Sequence, residues 1–124
     1  GELTAGGGIT DDTCNSHPGG AQHAVTSGAQ LAKKRKGPFV VVTPGMVELG
    51  PVQFERNKKL ASSIVKAGGT LMIVGRTNRK ALLSGAQGEA SVFDSRPDAV
   101  SAALQAAGTT GVILYENDLP DHYP

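Results

Sequence analysis

With 124 residues, of which 39% are apolar and 19% charged, the chain has the size and balance of one folded domain. Twelve Lys and Arg stand against eleven Asp and Glu, a net charge of +1, so bulk charge points to neither nucleic acid nor a membrane as partner. No apolar run approaches the ~18 residues of a membrane span, and the single Cys14 excludes an internal disulfide and fits a reducing compartment. The chain starts at Gly1 without Met or a leader-like apolar segment, and reads as a piece of a longer polypeptide.

In chain order, Gly6, Gly7 and Gly8 form a lead-in to a short strand candidate over residues 8–11. The glycines precede that strand, so they are not a phosphate loop. Ala21, Ala24, Val25, Gly28 and Ala32 recur at helical spacing, and Lys33 to Lys36 fall at the last turn, where cations complement the helix dipole. Residues 39–42 (FVVV) are continuous and β-branched, as strands covered on both faces are. Phe54, Ala61, Ile64 and Val65 mark a second helix closed by Gly68 and Gly69, and residues 71–74 (LMIV) a further buried strand. A short helix over 77–83 and a weaker strand over 90–93 follow. Val100, Ala103, Leu104 and Ala107 mark the last helix, starting near Ser95 or Pro97 and ending at Gly108; residues 112–115 (VILY) are the last strand, and 119–124 an extended tail. Strands alternating with helices imply one α/β domain over 1–124, with a mostly parallel sheet of about five to six strands.

In such a sheet ligands bind beyond the carboxyl ends of the strands. The loops there hold Asp11, Asp12, Glu48, Asp94, Glu116, Asp118 and Asp121, with Glu55 marginal, or eight of the eleven acidic residues. The GRTNRK segment (75–80) sits where an anion could bind, but without a P-loop pattern it reads as a turn and helix N-cap. His17, His23 and His122 have no metal-ligand spacing, so no metal site is expected. Cys14 near His17 reads as a structural thiol in preference to a nucleophile–base pair.

Two loops taken together resemble one family. Residues 11–18 (DDTCNSHP) resemble the DDxYNxNP signature that opens the C-terminal domain of Mur ligases, and residues 42–50 (VTPGMVELG) resemble their LGDMxELG loop. The closest type is the one that adds D-alanyl-D-alanine to the UDP-muramoyl tripeptide. The resemblance implies a Rossmann-like, three-layer α/β/α fold and the third domain of a bacterial cytoplasmic enzyme of peptidoglycan precursor synthesis. Such enzymes form an acyl phosphate with ATP and Mg²⁺, held mainly by a central domain of the same polypeptide, and an amino acid or dipeptide amine then attacks it. The third domain closes over the nucleotide and meets the amine, and closure of that kind excludes water.

By that resemblance Asp12 and Asn15 are expected at the nucleotide, and Asn15, His17, Asn117 and Asp118 at the UDP-muramoyl-peptide-like substrate or the amine. Glu48 is expected to stabilise its loop, and no residue of this chain is expected to be catalytic. The chain departs from the pattern at Cys14 (an aromatic in the family), His17 (Asn), Gly45 (Asp) and Asn57 (often His). Its last turn reads Glu116-Asn117-Asp118 where the family has a Lys-Gly-Ser-like turn. The contrary expectation is a free-standing, non-catalytic α/β nucleotide-binding or regulatory module.

Overall fold

The structure, a computed structural model, describes residues 2–5, 9–11, 20–47 and 49–116. The elements are β1 (Glu2–Ala5), β2 (Ile9–Asp11), α1 (Gly20–Arg35), β3 (Phe39–Thr43), a 3-10 turn (Gly50–Val52), α2 (Gln53–Lys66), β4 (Gly69–Val74), α3 (Arg79–Gly85), β5 (Ala90–Phe93), α4 (Arg96–Ala107) and β6 (Val112–Tyr115). Among the described residues no helix is long and apolar enough to cross a membrane.

The strands lie in the order β2-β1-β6-β3-β4-β5. β6, β3, β4 and β5 are mutually parallel, while β1 pairs antiparallel with both β6 and β2. The α/β class and the parallel sheet flanked by helices are as expected, but the all-parallel part counts four strands, not five to six. The difference arises at the N-terminal end. Residues 9–11 do form a strand, but β1 lies between it and β6, so it enters no parallel ladder. Two antiparallel pairings in succession restore its direction: β2 runs the same way as β6 and β3. Asp11 therefore stands in one row with Leu3, Leu114 and Val41, and the chain leaves β2 at the edge where β3 and β6 also end.

β3 is buried along its whole length because both its faces are covered. Val41, Leu71, Ile73, Val112 and Leu114 pack under α1, α2 and α3. Val40, Val42, Met72, Val74 and Ile113 pack under α4. Continuous β-branched runs fold this way because every residue, odd or even, meets an apolar layer. Leu60 and Ile64 of α2 are fully buried, each contributing about 1.5–3 kcal/mol from lost apolar hydration. The chain steps from β3 through β4 to β5 with α2 and α3 on one face. It then returns to β6 by way of α4 on the other, as right-handed crossovers require when the direction of travel reverses.

Two helix faces differ from expectation. Phe54 is 49% exposed and Leu104 56% exposed, although helical spacing groups each with apolar residues of its helix. On α4 the buried residues are Ala99, Ala103 and Ala107, small side chains that let the helix sit close on the sheet. Ser95 caps that helix as expected, its hydroxyl accepting from the Asp98 N–H at 3.3 Å, and Gly108 ends it.

Candidate functional site

Among the described residues four polar side chains are buried: Thr43, Asn57, Asn78 and Glu116. All four lie at one edge of the sheet, where the parallel strands end. Thr43 closes β3, Glu116 follows β6, Asn57 is in the second turn of α2, and Asn78 directly precedes α3. Burying such groups is unfavourable unless they are hydrogen-bonded. Three of them share one task, which is to hold the segment after β3.

The Thr43 hydroxyl accepts from the Gly45 N–H at 2.9 Å. Asn57 Oδ1 accepts from the Met46 N–H at 2.7 Å, and its Nδ2 donates to the Met46 carbonyl at 2.9 Å and to the Gln53 carbonyl at 2.8 Å. Asn78 Nδ2 donates to the carbonyls of Pro44 (3.0 Å) and Met46 (3.1 Å), while its Oδ1 accepts from Gln53 Nε2 at 2.8 Å. Two side-chain amides thus pair with Pro44 and Met46 as a neighbouring strand would. Asn78 occupies the N-cap position of α3, but its side chain makes no cap hydrogen bond and is turned to this loop instead.

Gly45 has φ +84° and packs directly on the two amides. A Cβ there would stand 2.6 Å from Asn57 Oδ1 and 2.8 Å from Asn78 Nδ2. The space that a side chain at residue 45 would need is taken by Asn57 and Asn78. Gly45, Asn57 and Asn78 therefore form one packed unit, in which the glycine makes room for the two amides.

Further along the edge, Arg79 Nη2 donates to Asp94 Oδ1 at 3.0 Å and Arg76 Nε lies 3.5 Å from the same oxygen. The hydrogen bond from Arg79, followed by the charge of Arg76, holds the Asp94 carboxyl below its ordinary range. Arg79 also donates to the Gly75 carbonyl at 3.2 Å. The 75–80 segment is thus a turn tied to the end of β5.

Asp12, Asn15, His17, Asn117 and Asp118, with Cys14, Glu48 and His122, lie outside the described residues. The topology does fix where the chain enters those segments. β2 and β6 end on the same edge, two strand spacings or about 10 Å apart, and β3 ends beside β6. Among the described residues no group of three or more His, Cys, Asp and Glu could hold a metal ion. Two further depressions lie among the described residues, neither lined by Thr43, Asn57, Asn78 or Glu116. One is between the ends of α1 and α2 (Lys33, Pro38, Ala67 and Gly68) and one between α2 and α3 (Lys58, Ser62, Ser84 and Gly85).

Comparison of the chain with protein-family models, with curated proteins and with solved structures finds no match.

Proposed function

We propose that this chain is the C-terminal domain of an ATP-dependent carboxylate–amine ligase of the Mur type, and that its fold is Rossmann-like. The sequence resemblance of two segments, 11–18 and 42–50, underlies the reading. The observation that carries it furthest is the edge those segments share. Asp11 and Thr43 end strands that run the same way, and all four buried polar side chains of the described residues gather at that edge.

In this reading the 43–47 loop is a fixed platform, its backbone held by Asn57 and Asn78 before any ligand arrives. Preorganisation of that kind lowers the cost of closing over a bound nucleotide. Asp12 accepts from ribose hydroxyls and Asn15 meets the nucleotide or the amine. His17, Asn117 and Asp118 orient the incoming amino acid or dipeptide. Glu116 in place of a Lys selects an amine substrate less anionic than a dipeptide carboxylate alone would require. ATP and Mg²⁺ are held mainly by a central domain of the same polypeptide, in the bacterial cytoplasm, and this chain alone does not turn over.

The test is ATP-dependent ligation by the native polypeptide that carries this sequence, read as ADP release that depends on an added amino acid or dipeptide. Asp12→Ala is expected to lower kcat/KM at least roughly tenfold with the fold intact, as loss of a charged hydrogen bond implies. Unchanged turnover in that variant would overturn the role given to Asp12.

A further inference from the structure

The net charge of +1 conceals a segregation along the chain. Eleven of the twelve Lys and Arg, but only two of the eleven Asp and Glu, fall between residues 33 and 80. That stretch runs from the last turn of α1 through α2 into α3, and these three helices form one layer on one face of the sheet. Three of the eleven cations are committed within the fold. Arg35 donates to the carbonyls of Thr109 and Thr110, and Arg76 and Arg79 share Asp94.

The other eight are all exposed, and none forms an ion pair among the described residues. Arg56, Lys58, Lys59 and Lys66 are on α2, whose one acid is Glu55. Lys33, Lys34 and Lys36 come at the end of α1, where Lys33 lines the same depression as Ala67 and Gly68 after α2. Lys80 is on α3. The segment leading into α2 adds a second feature. Val47, Val52 and Phe54 are 41%, 45% and 49% exposed, three of the five large exposed hydrophobic residues described. Phe54 stands one helical turn before Lys58.

We propose that the α1–α2–α3 layer docks on an anionic lipid membrane. Its lysines meet the headgroups, and Val52 and Phe54 enter the interfacial region at the start of α2. A basic face with apolar side chains at its margin is what interfacial binding requires. A nucleic acid would use the cations but leave the two valines in water. Seven of the eight exposed cations are Lys, which lack the bidentate geometry of Arg toward phosphates and guanine. Phe54 alone makes no stacking platform for a single strand. The docking surface adjoins the sheet edge at Val47, but its cations lie on the helix layer and it does not depend on the ligase reading.

Flotation of the full chain with vesicles tests this. Vesicles of phosphatidylcholine containing about 30 mol% phosphatidylglycerol are expected to carry the protein, and vesicles of phosphatidylcholine alone are not. Binding is expected to be lost in ~0.5 M NaCl, where the Debye length falls to a few ångströms. The double substitution Lys58→Glu, Lys59→Glu should weaken partition roughly tenfold or more, and Phe54→Ser should weaken it with charge unchanged. All three side chains are exposed, so melting temperatures should match the parent chain. No flotation with the anionic vesicles, or equal flotation of the double variant, would overturn the proposal. Retention on duplex DNA with none on vesicles would also overturn it, and would assign the face to nucleic acid.

Discussion

Asn57 makes three hydrogen bonds from a position with no solvent exposure, and two of them hold the backbone of Met46. Replacing it by Leu keeps the branched heavy-atom shape but enlarges it and leaves the part-buried Met46 N–H without its acceptor. Asn57→Leu is expected to cost about 2–4 kcal/mol in urea unfolding, with the m-value unchanged. Gly45→Ala is expected to cost about 2–3 kcal/mol by the same measurement, since it adds a positive-φ penalty to a Cβ 2.6 Å from Asn57 Oδ1. The two effects should be coupled: Asn57→Gly in the Gly45→Ala background opens the space and should cost less than the sum of the single changes. This amide clamp was half legible in the sequence. Asn57 shares the buried stripe of Leu60, Ala61 and Ile64, and a polar residue on such a stripe signals a partner, but no local pattern says which. Asn78 reads as an N-cap by position, and only the tertiary approach of the loop after β3 redirects its side chain.

Asp94 provides the pH dependence at this scale. Its folded pKa is lowered, so its pair with Arg79 and Arg76 stabilises the fold above the ordinary aspartate value of about 3.9. The contribution is lost as the pH falls through the depressed folded value. Asp94→Asn should therefore be less stable than the parent chain at neutral pH, by a small margin because the pair is exposed. The gap should close in strong acid. Equal unfolding midpoints at neutral pH would show that the pair contributes nothing.

At the scale of elements, the strands were read correctly where they are buried on both faces, because an uninterrupted run such as FVVV has no competing helical pattern. α4 shows the opposite case. Its sequence RPDAVSAALQAA offers apolar residues in two overlapping stripes, 100/103/104/107 and 99/103/107. Hydrophobicity favours the first because it holds Val100 and Leu104. Packing favours the second because three alanines let the helix approach Val40, Val42 and Ile113 closely. Periodicity alone cannot rank size against hydrophobicity, and so it favours the stripe that holds Leu104. β1 carries no strand signal of its own: ELTA is four residues long and becomes a strand by pairing, Leu3 standing between Leu114 and Asp11. The cap of α4 was legible because it is local, with Ser95 accepting from Asp98 three residues on. Ser95→Ala is expected to cost about 1 kcal/mol in thermal or urea unfolding. A shift of the same size in Ser91→Ala, on the exposed part of β5, would mean that the cap is not the cause.

For the whole molecule, the topology gathers the ends of β2, β6, β3, β4 and β5 on one edge and the exposed cations on one helix layer. Sequence composition pointed to the first through the acidic residues in the loops. It missed the second because a sum of charges discards their order along the chain. The proposed nucleotide and amine site rests on two segments that resemble the Mur ligase pattern. The side chains that would meet nucleotide and amine, Asp12, Asn15, His17, Asn117 and Asp118, belong to segments that the described residues lead into without including. The proposed function makes the domain one part of a larger ATP-dependent ligase. The most direct test is the size of the native polypeptide, read by immunoblot of the source cells with an antibody raised against this chain. A ligase of this kind should give a band about three to four times the mass of this chain, as two further domains of ordinary size would add. A band at 12.7 kDa would contradict it.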